Sequence, residues 1–181
     1  MQSEKLKQLV PSALILGLLY CILIFVQNQY LYKSPIMFSG AKFVCYIIIM
    51  VGMLIMGFKF RKDQGGYIGF KDALQAFLVI VVVIEIMYTL FGVIYNLAIE
   101  PEFVNKLKVA WLQYADNLPI PEEQREEMKD RMLQPFESGD AGKVTVKNVL
   151  SGFGFSLLID GIVAILFSAI IKKNKPVFEH E

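Results

Sequence analysis

The chain has 181 residues, 55% of them hydrophobic and only 19% charged, and its mean hydropathy is +0.51. That length fits one domain, and the composition excludes an intrinsically disordered chain, a collagen-like fibre and a disulfide scaffold. A formal net charge of +1 supplies no field to gather nucleic acid, and no cluster of Lys and Arg with interleaved aromatics marks a nucleic-acid groove.

The apolar residues fall into four runs. Lys5 and Lys7 lead into the first, 9–26, which carries no charge. No small-x-small cleavage site follows, only Gln27, Asn28 and Gln29, so the run reads as an uncleaved transmembrane helix rather than a signal peptide. The second run, 36–58, holds one charge at Lys42; the third, 73–99, holds Glu85; the fourth, 150–171, holds Asp160. About 20 apolar residues in a helix cross a hydrocarbon core of about 30 Å, and backbone amides in lipid must be paired within their own segment. The stretches 47–55 and 79–84 lack the polar residue at every third or fourth position that a water-facing helix shows. The expected fold is therefore all-α, a polytopic membrane domain over 1–181 with four transmembrane helices and the lipid bilayer as its solvent. Cys21 and Cys45 lie inside the runs and read as packing residues.

Basic residues near the span ends set the expected orientation. Lys5 and Lys7, then Lys59, Arg61, Lys62 and Lys71, then Lys172, Lys173 and Lys175 share one face if both termini do. The turn between spans one and two has only Lys33, and 100–147 carries more carboxylates than basic side chains. This predicts a multi-pass membrane protein with cytoplasmic termini and 100–147 outside. Tyr30, Tyr32, Phe58, Phe60, Tyr67, Phe70, Tyr95 and Phe103 lie near the predicted edges and read as an interfacial anchoring belt. The glycines at 65, 66 and 69 read as a turn that returns the chain to the membrane. The Gly-Lys-Ser/Thr ending of a phosphate loop is absent there.

The 100–147 insert reads as a helical hairpin. Pro101 suits a first helical position, and Phe103, Leu107, Trp111 and Tyr114 then repeat on one face. Prolines 119 and 121 break this helix. A second is expected from about Pro121, with Glu122 and Glu123 at its positive end, Met128, Met132 and Phe136 as its apolar side, and Pro135 closing it. Residues 138–142 read as a flexible return to span four. Such a hairpin either lies on the membrane or caps the helices, or it docks a partner through Trp111, Tyr114, Met128 and Met132.

The buried charges are the candidate site. Glu85 lies twelve positions after Ala73, and Asp160 twelve before Lys172. At 1.5 Å per residue both carboxyls fall about 18 Å from the inner boundary, near the midplane. An ionised carboxylate there costs about 2.5–3.5 kcal/mol, so the two face each other or water, or carry protons. Facing acids would titrate as a unit. They form either a proton- or cation-binding pair or a hydrogen-bonded contact between helices, with Tyr88, Thr89 and Ser156 near enough in sequence to take part. Gly161 would let another backbone come close. Lys42, about 26 Å from the inner side, can extend its ammonium to the outer interface or, by bending inward, partner Glu85.

Chemistry of other kinds is thinly represented. The one histidine is His180, and no Gly-x-Ser-x-Gly, Walker or dinucleotide pattern occurs. No catalytic set, metal site or cofactor is expected, and the chain reads as a non-enzyme.

The stretch Gly65-Gly66-Tyr67-Ile68-Gly69-Phe70-Lys71-Asp72-Ala73, and the Pro101-Glu102-Phe103 start of the acidic insert, resemble a domain-of-unknown-function family of small inner-membrane proteins found in Bacteroidota. The likeness covers nearly the whole chain. It implies a four-span membrane protein and carries no activity and no functional residues. The expected function is a non-enzymatic membrane component that assembles with itself or with a larger complex. The alternative is a small proton- or cation-coupled transporter or channel that uses Glu85 and Asp160.

Overall fold

A computed structural model describes residues 2–137 and 144–175. The return segment 138–142 and His180 lie outside the described residues. Short α1 (Gln2–Lys7) precedes α2 (Leu9–Tyr30), α3 (Pro35–Asp63) and α4 (Phe70–Ile94), which ends in a π-helical turn, Tyr95–Ile99. The hairpin α5 (Phe103–Asp116) and α6 (Glu122–Glu137) follows, then α7 (Val146–Ile171). The fold is all-α, and α2, α3, α4 with its π turn, and α7 are each long and apolar enough to cross a membrane. Their outward side chains, such as Phe155 and Leu158 at 66% and 71% exposure, are apolar, as a hydrocarbon surround requires.

Helix ends follow local chemistry. Pro35 opens α3 where its missing N–H is no loss, and the Ser34 carbonyl accepts from the Phe38 amide at 2.8 Å. Thr145 caps α7, its Oγ1 accepting from the Asn148 amide at 3.2 Å. Two glycines in the left-handed region, Gly65 at φ +84° and Gly66 at φ +85°, stop α3. Their amides return to the carbonyls of Lys62 and Arg61, both at 3.0 Å, in the double bond that closes a helix on glycine.

The helices run past the apolar runs at 26, 58 and 150 because hydropathy marks what suits lipid, whereas helix propensity continues through Gln, Lys and Arg. Two details of the hairpin differ from expectation. Pro101 stands outside α5, which begins at Phe103. Helix α6 continues through Pro135 to Glu137, since a proline so near a helix end removes one hydrogen bond without breaking a long ladder.

The chain divides into two compact units, and the division falls within each long helix. The first unit comprises 1–20, 47–88 and 153–181. Its core is Phe77, Ile80, Val81 and Ile84 of α4 with Ala164, Phe167 and Ile171 of α7. Phe77 and Phe167 meet edge to face with ring centres 5.6 Å apart. Gly57 of α3 admits the Phe77 ring and the Ile171 side chain where any Cβ would collide with them. The loop before α4 pairs with the chain after α7: Ile68 and Lys173 exchange two backbone hydrogen bonds of 2.9 Å. Arg61 Nη1 donates to the Ile171 carbonyl at 3.2 Å, and Lys173 lies over the Tyr67 ring at 5.3 Å. The glycine-containing loop is thus a clasp on the end of α7 as well as a turn.

The second unit comprises 21–46 and 89–152. Its centre is Tyr95, 1% exposed, against Phe25, Phe91 and Phe103 at 5.2–6.3 Å between ring centres. Gln29 Nε2 donates to the Tyr95 hydroxyl at 3.3 Å. This corrects the belt reading for three residues. Tyr95, Phe103 and Phe60 are buried in the protein, while Tyr30, Phe58 and Phe70 remain exposed. The π turn contributes to that burial, since the Glu100 amide reaches back five residues to the Tyr95 carbonyl at 2.8 Å. Cys21 and Cys45 are buried free thiols.

Candidate functional site

Glu85 and Asp160 meet within the first unit. Glu85 stands on α4 one residue after Ile84, which packs in the core, and is itself only 6% exposed. Its carboxyl is hydrogen bonded to the Asp160 carboxyl and accepts from the Ser156 hydroxyl, one turn earlier on α7. Asp160 and Ser156 are half-buried. One Glu85 oxygen, Oε2, is buried with no hydrogen-bond partner among the described residues. A hydrogen bond between two carboxyl groups needs a proton on one of them. The arrangement can therefore hold one proton between two acids, with a hydroxyl as third partner.

Of the other residues named near the pair, Tyr88 stacks on Tyr20 with ring centres 5.0 Å apart. Gly161 faces open space, so the expected close backbone approach does not occur among the described residues. Lys42 is exposed in the second unit and makes no ion pair among the described residues. Among the described residues, no group of three or more His, Cys, Asp or Glu is placed to hold a metal ion.

The proposed docking residues lie on the hairpin, where α5 and α6 pack on each other. Trp111, Tyr114, Met128 and Met132 are each half-buried, and the Trp111 indole N–H is buried without a hydrogen-bond partner among the described residues. Their apolar surface is thus partly spent within the chain. Lys129 of α6 reaches Asp116 of α5 at 2.5 Å and Glu126 at 2.8 Å. Arg125 Nη2 donates to the Leu118 and Ile120 carbonyls at 3.3 and 3.2 Å, fixing the proline-containing turn.

Sequence reasoning did not find the buried Gln27, 2% exposed, whose Nε2 donates to the Phe38 carbonyl at 3.0 Å. It is uncharged and sits at the end of an apolar run, so only a three-dimensional partner marks it.

Four lipid-facing helices, an acidic pair buried between two of them and a helical hairpin define a multi-pass membrane protein. A family model described as "Protein of unknown function (DUF4199)" matches residues 12–173, and the chain belongs to that family. No curated protein and no solved structure matches the chain.

Proposed function

We propose that this chain is a non-enzymatic component of a bacterial cytoplasmic membrane that assembles with itself or with a larger membrane complex. The observation that carries the reading is how the acidic pair is closed: Glu85 is sealed against Asp160 and Ser156. A polar contact of that kind fixes the register of two helices in lipid, where partners other than protein are scarce. The outside of α7 supports the same reading, since only 22% of its most apolar stretch is buried within the chain. On this reading the termini are cytoplasmic and the α5–α6 hairpin is outside. The test is the mass of the protein purified in mild detergent, by light scattering corrected for bound detergent. An assembly or a stoichiometric partner is expected, and a lone monomer at every protein concentration would contradict the proposal.

A second reading rests on the same two carboxyls, which lie within hydrogen-bonding reach in the middle of spans: a proton- or cation-coupled transporter or channel. Four spans are few, so it too would require assembly. Vesicles carrying the protein would then pass protons or a cation under a gradient, and Glu85→Gln with Asp160→Asn would abolish the flux. Vesicles as tight as empty ones remove this reading.

A further inference from the structure

In the second unit, the turn after α2 and one face of α5 enclose an open groove of about 480 Å³. Tyr32 and Lys33 form one wall, and Glu102, Asn105, Lys106 and Gln113 line the other. Val109 and Ala110 line the same wall between Lys106 and Gln113, so the residues of α5, repeating at about one turn, make one stripe that is polar apart from those two.

The charges in this groove are ordered. Lys106 Nζ pairs with Glu100 at 2.9 Å, and Asn105 Nδ2 donates to Glu102 at 3.1 Å. The hydrogen bond that Lys106 donates to Glu100, aided by the charge of that carboxylate, holds the Lys106 ammonium above the ordinary lysine range. Lys33 is exposed and makes no ion pair among the described residues. Glu100, beside the groove, thus neutralises Lys106, leaving Lys33 and Glu102 as the groove's one positive and one negative charge. An anionic guest would upset that balance, whereas a guest with one phosphate and one ammonium preserves it.

Position supplies the second argument. The Tyr32–Lys33 turn joins two membrane-spanning helices, α2 and α3, at a membrane boundary. Exposed Tyr30, Ile36 and Met37 flank it in sequence and offer apolar surface to acyl chains.

We infer that this groove is the headgroup site of a zwitterionic membrane lipid bearing a phosphodiester and a primary ammonium, the chemistry of phosphatidylethanolamine. Lys33 receives the phosphate. Glu102 accepts from the ammonium, and the Asn105 and Gln113 amides and the Tyr32 hydroxyl complete the hydrogen bonding. A quaternary ammonium has no N–H to give Glu102, so phosphatidylcholine fits less well.

The test offers the delipidated full chain equal amounts of phosphatidylethanolamine, phosphatidylcholine and phosphatidylglycerol with identical acyl chains, and counts bound lipid by native mass spectrometry. The expected result is preferential retention of phosphatidylethanolamine. Lys33→Gln weakens it by about tenfold, the worth of one hydrogen bond to a charged group. Glu102→Gln removes the preference over phosphatidylcholine. Both side chains are exposed, and that of Glu102 caps no helix amide, so neither change threatens the fold. Equal retention of the three lipids, preference for phosphatidylglycerol, or unchanged binding by Lys33→Gln would overturn the assignment. So would displacement of the lipid by soluble glycerophosphoethanolamine at matched concentration, since that ligand needs no acyl chain.

Discussion

Glu85 is the side chain on which the interior of the first unit depends most. A carboxyl in an apolar setting is costly unless it is hydrogen bonded, and Asp160 and Ser156 partner one of the two Glu85 oxygens. Glu85→Gln keeps a donor and an acceptor and should change stability by less than about 1 kcal/mol, whereas Glu85→Leu should lower it by about 1–3 kcal/mol. Unfolding titrated with a denaturing detergent checks both. In the same assay Glu85→Leu and Asp160→Leu should fail to add, with a coupling of about 0.6 kcal/mol, the average between membrane helices, and no more than about 1.7 kcal/mol. Simple additivity would mean that the two acids do not support each other. Gly57 is constrained for a different reason. Gly57→Ala forces the Phe77 ring and Ile171 to move and should lower stability by about 1–3 kcal/mol in the same titration. A neutral result would mean that the three helices are less closely packed there.

At the scale of elements, the four spans were legible because lipid demands uninterrupted apolar runs, a signal that needs no knowledge of partners. The common depth of Glu85 and Asp160 was legible too, since equal counts from the same boundary give it; whether the two face each other, and what the pair does, was not written in that arithmetic. Tyr95 was misread because a tyrosine near a span end looks the same whether it anchors at an interface or fills a core. Only its neighbours Phe25, Phe91 and Phe103 decide. The clasp between Ile68 and Lys173 joins residues far apart in the chain, so no local pattern announces it. In the hairpin, Lys129 ties α5 to α6, and its hydrogen bond to Asp116, with that to Glu126, raises its ammonium above the ordinary 10.5. A raised lysine contributes fully below the unfolded value and loses its contribution as pH rises through the folded one. Fluorescence of Trp111, the single tryptophan, should therefore hold steady up to about pH 10.5 and change above it. Lys129→Gln should lack that alkaline step, and an identical profile in the variant would show that the tie does not hold the hairpin.

For the whole molecule, the decisive fact is what surrounds it. Side chains such as Phe155 and Leu158 stand outward along helices long enough to cross a bilayer, and the family match covers the span-bearing chain almost end to end. In water such surfaces would be driven together; in hydrocarbon they need no cover. The polar features then have places set by the solvent boundary. The Glu85–Asp160 pair lies within two of the spans, and the Lys33–Lys106 groove adjoins the turn that joins α2 to α3. The most direct test is extraction of cell membranes with alkaline carbonate. The protein should stay in the membrane pellet and leave it only with detergent; its release into the aqueous phase as a folded, unaggregated species would contradict the account.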